Sequence, residues 1–287
     1  MTTRPRRSVL YMPGSNQRAL EKARTLPADS LVLDLEDSVG PEKKVAARDQ
    51  VMAAVSAGGY GYREIIIRAN SLDSEWGEDD IRAIALSGAD GLCLPKVESQ
   101  AQVEAAINLL NDAGAPASMQ VWVMIETPLG VTNIQQIASA SARITVIAMG
   151  TTDLSKELRV TDRIGLLYSL SQCVLAARAY NKEILDGVYL DLHNDQGFTD
   201  TCVQGKHLGF DGKTLIHPKQ LAAANEVFGP SANDIERAEN IIAAWKLAEA
   251  EGKGVVVVDG KLVEAMHIDE ARRHLARAEK IAAQQTK

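Results

Sequence analysis

Short apolar runs alternate with segments of helical periodicity along most of the chain. Eight of these runs have the length and the continuous hydrophobicity of strands that are buried on both faces. The predicted strands are Ser8–Met12, Ser30–Leu35, Glu64–Arg68, Gly91–Leu94, Val121–Glu126, Ile144–Gly150, Asp186–Asp191 and Lys213–His217. The intervening patterns predict helices over about 16–24, 41–57, 75–86, 99–112, 131–139, 164–180, 199–208 and 218–227.

Regular alternation of strand and helix predicts a parallel sheet of the α/β class. Eight such units within residues 1–230 fit a closed (β/α)8 TIM barrel, which we expect to be the catalytic domain. The alternative is a doubly wound open sheet. That fold predicts a G-x-G-x-x-G loop after the first strand, and Pro13-Gly14-Ser15 does not match it.

Residues 231–287 do not continue the repeat. They predict a long helix over 231–251, a hairpin over 255–264 that turns at Asp259-Gly260, and an amphipathic helix over 268–283. We expect this helix–hairpin–helix extension to be an appendage to the barrel. Its apolar hairpin needs a surface to cover, either its own or that of a neighbouring subunit.

Composition and net charge exclude several classes of protein. A chain with 46% hydrophobic and 24% charged residues can build a full core, and a net charge of −7 argues against nucleic-acid or anionic-membrane partners. No apolar stretch approaches the length of a membrane span. The three cysteines are far apart and form neither a metal-binding nor a disulfide spacing. Since the N-terminal apolar run is also too short for a signal peptide, we expect a cytoplasmic protein.

Polar residues stand at the ends of strand after strand, where a barrel of this kind has its active site. Glu126 ends the fifth predicted strand, and Asp153 lies three residues after the glycine that ends the sixth. Two carboxylates without a matching Cys or His favour Mg2+, with Mn2+ as the second choice. The alternative is a hydrogen-bonded buried glutamate and a helix-capping aspartate.

Arg68 ends a strand of three isoleucines, so we expect a partly buried guanidinium that binds a carboxylate or an enolate oxygen. The alternative is a structural salt bridge to Glu36 or Asp37, and the two roles can coexist. Lys96 follows a proline at another strand end. We favour phosphate contact or electrostatic support for Lys96 over a Schiff base, because the metal carboxylates make a Schiff base unnecessary.

Seven short motifs occur in an order that resembles a known family. They are Leu10-Tyr11-Met12-Pro13-Gly14-Ser15, Leu33-Asp34-Leu35-Glu36-Asp37-Ser38-Val39, Ile67-Arg68-Ala69-Asn70, Leu94-Pro95-Lys96-Val97, Ile125-Glu126-Thr127, Gly150-Thr151-Thr152-Asp153-Leu154 and Ile216-His217-Pro218-Lys219-Gln220. Together they resemble the HpcH/HpaI aldolase and citrate lyase family, in its citrate lyase beta-subunit-like branch. The resemblance covers nearly the whole chain.

The resemblance implies a Mg2+-dependent lyase of 3-hydroxyacyl-CoA esters, with Glu126 and Asp153 as the metal ligands. Arg68 would hold the oxo acid or stabilise the acetyl-CoA enolate, supported by the Glu36-Asp37 pair. The turn at Pro13, Gly14 and Ser15, with Lys22, would lie near the CoA phosphates.

The segment after Asp259-Gly260 departs from the family pattern. In the family it usually ends in an aspartate that reaches a neighbouring subunit's site, whereas here it leads to Glu264. Glu264 would complete the site in trans, and the alternative is a surface glutamate. A closed ring, a homotrimer or hexamer with shared sites, is the expected assembly.

Citramalyl-CoA or malyl-CoA lyase is the leading functional prediction, with acetyl-CoA and pyruvate or glyoxylate as products. Three alternatives remain open. They are a malyl-CoA thioesterase, an aldolase that acts without CoA, and the beta subunit of a carrier-dependent citrate lyase complex.

Overall fold

The computed structural model describes residues 4–285, and in it eight parallel strands form a closed barrel. Each strand pairs with its neighbours in chain order, and the first pairs with the eighth. The strands are β1 (Ser8–Pro13), β2 (Ser30–Asp34), β3 (Glu64–Arg68), β4 (Gly91–Leu94), β5 (Gln120–Ile125), β6 (Ile144–Met149), β7 (Glu183–Asp186) and β8 (Gly212–Leu215). The predicted (β/α)8 barrel is confirmed.

Helices follow the strands in chain order. They are α1 (Gln17–Ala23), α2 (Lys44–Ala57), α3 (Gly77–Ala85), α4 (Gln100–Asp112), α5 (Pro128–Thr132), α6 (Ile134–Ser139), α7 (Thr151–Leu158), α8 (Leu167–Ala179), α9 (Asp195–Leu208) and α10 (Leu221–Phe228). Short 3-10 turns precede α2, α8 and α10. Residues 6–224 form one compact unit, and residues 225–285 with residues 4–5 form another.

Alternate residues of each strand point into the barrel, so the interior is built in layers. The middle layers are apolar and include Val9, Val32, Ile66, Cys93, Trp122, Val146 and Leu185. At the amino ends of the strands the interior is filled by a buried ionic cluster. Arg6 donates to Glu64 at 2.7 Å and to Glu183 at 2.8 Å, and its guanidinium lies 5.4 Å from the centroid of the Trp122 ring. The other end of the barrel carries the polar side chains described below.

Three predictions of secondary structure were wrong. The seventh strand is Glu183–Asp186, not Asp186–Asp191, because Glu183 faces the barrel interior, where it pairs with Arg6. The predicted helix over 131–139 is split into α5 and α6 at Asn133. The helix Thr151–Leu158 was not predicted at all, although it carries Asp153 in its first turn.

The C-terminal unit contains the predicted helix, hairpin and helix: α11 (Ala232–Ala250), β9 (Val256–Val258), β10 (Lys261–Val263) and α12 (Ala265–Gln285). Both residues of the Asp259-Gly260 turn have positive φ, as a type I′ hairpin turn requires. Val263 packs with Ile241 and Ile268 in the core of this unit, whereas the paired Val257 and Leu262 are exposed. One face of the hairpin therefore covers its own helices. That the extension packs on a neighbouring subunit stays a prediction.

Within the described residues, no helix combines the length and the apolar character needed to cross a membrane.

Candidate active site

Arg68 is held at the carboxyl end of the barrel by a carboxylate that the sequence reasoning missed. Its side chain points inward from the last residue of β3, and Asp34, at the paired position of β2, accepts two hydrogen bonds from it at 2.7 and 2.9 Å. Both side chains are buried, with 6% of Arg68 and 1% of Asp34 exposed. A bidentate pair of this kind fixes the guanidinium plane. Burial alone would raise the pKa of Asp34, but the Arg68 charge and the N–H donors around it lower that pKa below its usual value.

The predicted contacts of Arg68 with Glu36 and Asp37 are also present. Arg68 Nη1 lies 2.8 Å from Glu36 Oε2 and 3.6 Å from Asp37 Oδ2. Lys96 donates to the other oxygen of Glu36 at 2.8 Å. Glu36 Oε2 is buried, yet it accepts no hydrogen bond of good geometry from the residues that the structure describes. Burial raises the pKa of Glu36 even though Arg68 and Lys96 oppose that rise. Glu36 is therefore a buried carboxylate whose Oε1 is bonded to Lys96 and whose Oε2 is in ion-pair contact with the fixed Arg68 guanidinium.

Tyr11 and Met124 complete the surroundings of Arg68. The guanidinium carbon lies 4.8 Å from the centroid of the Tyr11 ring, and the Tyr11 hydroxyl lies 3.4 Å from Met124 Sδ. Both residues share the inward face of their strands with residues of the apolar core, Val9 and Trp122. Strand alternation, applied to β1 and β5, would have placed both beneath the site.

Glu126 is a buried carboxyl group of the site, with 1% of its surface exposed. Its Oε1 accepts the Lys96 backbone N–H at 2.7 Å, and Lys96 has a left-handed backbone with φ of 50°. Gly150 packs against the Glu126 side chain so closely that a Cβ at Gly150 would collide with it. Burial, followed by the charge of Glu36, raises the pKa of Glu126 to about 7.

Asp153 is half-buried in the first turn of α7, and its charge also raises the pKa of Glu126, so the two carboxyl groups share one electrostatic environment. These residues fit a Mg2+ ion. A buried carboxyl group whose charge is undercompensated, with a second carboxylate nearby, is stabilised by a hard divalent cation. Among residues 4–285, no group of three or more His, Cys, Asp or Glu side chains is arranged to hold a metal. A two-carboxylate site is nevertheless usual for Mg2+, which keeps waters or substrate oxygens as its other ligands.

The turn after β1 is joined to β2 by a backbone hydrogen bond, and it is exposed from Ser15 onward. Gly14 donates its N–H to the Asp34 carbonyl at 2.8 Å, and a Cβ there would collide with that carbonyl. An open groove of about 630 Å³ begins at Ser15 and is lined by Ser15, Asn16, Gln17, Arg18 and Glu21. Lys22 is exposed in the last turn of α1 and does not line this groove. Arg18, which the sequence reasoning passed over, is the cation in the groove, while the phosphate contact of Lys22 stays a prediction.

His217 and Glu264 lie elsewhere. His217 caps the turn before α10, since its Nδ1 accepts the Lys219 N–H at 3.1 Å. Glu264 belongs to the C-terminal unit, where it is exposed between β10 and α12 and donates its N–H to His267 Nδ1 at 3.0 Å. A role of Glu264 in a partner's site stays a prediction.

The chain is similar to known proteins over nearly all of its length. The sequence model of the HpcH/HpaI aldolase/citrate lyase family matches residues 7–218. A (3S)-malyl-CoA thioesterase of Cereibacter sphaeroides is 49% identical over 97% of this chain and 96% of the relative. The citrate lyase subunit beta of Escherichia coli is 39% identical over 96% and 94%. Among solved structures, CitE from Mycobacterium tuberculosis in complex with magnesium, acetoacetate and coenzyme A has a TM-score of 0.75 and 26% identity, covering 95% of this chain and 97% of that one.

Proposed function

The chain belongs to the HpcH/HpaI aldolase/citrate lyase family of Mg2+-dependent carbon–carbon lyases, and we propose that it cleaves a 3-hydroxyacyl-CoA to acetyl-CoA and a 2-oxo acid. The observation that carries the proposal is the fixed Arg68 guanidinium in contact with the Glu36 carboxylate, whose pKa is raised by burial, within electrostatic reach of the buried Glu126. A cation, a proton acceptor and a candidate metal ligand thus lie at the same end of the barrel.

Each residue has a distinct task in this proposal. Glu126 and Asp153 would hold Mg2+, which supplies Lewis acidity for the oxygen on C3 and the adjacent carboxylate of the substrate. Glu36 Oε2 accepts the proton of the C3 hydroxyl. The C2–C3 bond then breaks, and its electron pair moves into the thioester as an enolate. Arg68 stabilises the enolate oxygen. The proton that Glu36 accepted then passes, directly or through water, to the enolate carbon, which gives acetyl-CoA and restores the Glu36 carboxylate.

Malyl-CoA is the first substrate to test. Relatives named for malyl-CoA are 47 to 49% identical to this chain, whereas relatives named citrate lyase subunit beta are 35 to 39% identical. Lyase action on malyl-CoA gives glyoxylate, and lyase action on citramalyl-CoA gives pyruvate.

The second candidate is hydrolysis of the thioester, and it is favoured by the thioesterase names of the relatives that are 47 to 49% identical. Glu36 would then take a proton from water rather than from the C3 hydroxyl, and the C2–C3 bond would remain intact. The water oxygen would bond to the thioester carbon, the C–S bond would break, and the CoA thiolate would take up the proton. The products are free CoA and the hydroxy acid. The same side chains serve both reactions, so the products decide between them.

The test is a product assay on the purified chain alone, with racemic malyl-CoA or citramalyl-CoA and with Mg2+ or EDTA. Acetyl-CoA and an equal amount of oxo acid, formed only with Mg2+, are the expected result. Free thiol without oxo acid would assign hydrolysis. If neither ester turned over, the lyase proposal would fail for free CoA esters, and activity that appears on addition of an acyl-carrier partner would assign a subunit of a complex.

A further inference from the structure

Lys44 is a buried lysine whose ammonium group binds the backbone of the loop that carries Glu36. Only 7% of its surface is exposed. Its Nζ donates to the Leu35 carbonyl at 2.9 Å and to the Glu36 carbonyl at 2.7 Å. The Nζ also lies 5.5 Å from the centroid of the Trp76 ring. The two carbonyls and the ring thus account for its three N–H groups.

The loop is fixed from two sides. On one side the Asp34 carboxylate accepts the N–H groups of Glu36 and Ser38 at 2.9 and 3.1 Å. On the other side Lys44 holds the two carbonyls, and Asn70 adds a second bond to the Leu35 carbonyl at 2.9 Å. Asp34 also accepts a hydrogen bond from Arg68, so it connects the N–H groups of the loop to the guanidinium. Lys44 connects the carbonyl groups of the loop to the helices around the barrel, because it is the first residue of α2.

We propose that Lys44 is a positioning residue that sets the Glu36 carboxylate against Arg68 and Lys96. This inference rests on the proposed function, in which Glu36 is the proton acceptor. The bonds from an ammonium group to carbonyls are charge-assisted and roughly twice as strong as neutral ones. Their loss leaves two acceptors of the loop without their charged donor. A small shift of the loop then carries the Glu36 carboxylate away from its contacts.

Kinetics of three variants test the inference. Lys44→Met keeps the length of the side chain and removes its donors, and kcat is expected to fall by about 10- to 100-fold, because a misplacement on the order of 1 Å costs about that much. The KM for the CoA ester is expected to stay within about threefold, because a positioning residue acts on the chemical step and not on ester binding. Lys44→Arg restores charge and donors and is expected to recover part of kcat. Lys43→Met is the matched control, because Lys43 is the adjacent exposed lysine, and it is expected to leave kcat unchanged.

A double variant separates positioning from general destabilisation. If Lys44 acts through Glu36, adding Lys44→Met to Glu36→Gln costs nothing further in kcat. Additive losses in the double variant, or an unchanged kcat in Lys44→Met, would overturn the inference. Should Lys44→Met fail to fold, the same cycle is run with Lys44→Arg, whose smaller loss must likewise vanish in the Glu36→Gln background.

Amide hydrogen exchange gives a readout that does not depend on turnover. In Lys44→Met the amides of residues 36–39 are expected to exchange faster, while those of the barrel strands and all amides of Lys43→Met remain as in the wild type. A wild type that cleaves no CoA ester refutes the proposed function, and the exchange result still decides whether Lys44 holds the loop. Unchanged exchange at residues 36–39 would refute its positioning role.

Discussion

Replacing Asp34 by Asn tests how much the fixed guanidinium contributes to stability and activity. The Asn side chain keeps the shape and the oxygen acceptor but presents an NH2 group where Arg68 needs a second acceptor. It also removes the charge opposite a buried Arg68. The ion pair with Glu36 at 2.8 Å remains, so Arg68 is not left entirely without a counter-charge.

The size of the effect follows from burial. Removing one partner of a buried ion pair typically costs about 3–5 kcal/mol of stability. Because Glu36 remains, we expect Asp34→Asn to lower the free energy of unfolding by about 3 kcal/mol, the lower end of this range. The expected loss of kcat/KM is at least about 100-fold, because the guanidinium plane is no longer held by two parallel bonds. Asp37→Asn is the matched control. Asp37 is 56% exposed and 3.6 Å from Arg68, so its replacement is expected to change the free energy of unfolding by less than about 1 kcal/mol.

Urea unfolding followed by circular dichroism measures the difference, and its pH dependence checks the cause. The Asp34 pKa is lowered in the folded state. Its contribution is therefore fully present above the unfolded pKa of about 3.9 and is lost as the pH falls through the folded pKa. The gap in stability between the wild type and Asp34→Asn is expected to be constant near neutral pH and to close in acid. Equal unfolding midpoints at pH 7, or a gap that widens in acid, would refute the reasoning.

Three other predictions concern the metal side of the site. Gly150→Ala is expected to abolish Mg2+ binding in calorimetry, because the new Cβ displaces the Glu126 carboxylate, whereas Gly254→Ala, where a Cβ meets nothing within 4 Å, leaves binding unchanged. Since the Glu126 pKa is raised to about 7, Mg2+ must displace a proton below that pH. Its apparent affinity is expected to fall about tenfold per pH unit below 7 and to level off above, and a pH-independent affinity would contradict this. Lys96→Gly relieves a left-handed backbone that costs about 1 kcal/mol, so thermal unfolding is expected to show unchanged or higher stability together with a large loss of turnover.

The barrel and most of the site could be predicted because both follow from local patterns. Buried runs alternate with helical periodicity, and the strand-end rule gathers Arg68, Glu126 and Asp153 at one end without knowledge of the packing. Asp34 was not predicted as a site residue, because it lies within an apolar run and resembles an isolated polar interruption of that run. Alternate residues of β2 point into the barrel, so the series Ser30, Val32, Asp34 would have identified it as an interior side chain.

Other features of the structure cannot be predicted from the local sequence, because they depend on contacts between distant residues. Lys44 is one of two adjacent lysines, and only the packing of α2 on the barrel buries one and exposes the other. Glu183 reads as part of a polar loop, and its place in a strand depends on Arg6, 177 residues away in the sequence. Long-range charge pairing of this kind leaves no periodicity along the chain, so the start of β7 could not be predicted from it.

The ionic cluster of Arg6, Glu64 and Glu183 gives the barrel a closed floor, since Arg6 is only 4% exposed and Glu64 is fully buried. In the proposed reaction the substrate therefore enters, and both products leave, at the other end of the barrel. In the proposed reaction the oxo acid is bound at the Mg2+ that the buried Glu126 would hold, whereas the acetyl group stays attached to CoA, which is too large to enter the packed interior of the barrel. The thioester product must therefore depart before the oxo acid, and the reverse condensation must bind the oxo acid first. We therefore expect an ordered kinetic mechanism, in which the oxo acid inhibits competitively with respect to the CoA-ester substrate and acetyl-CoA does not.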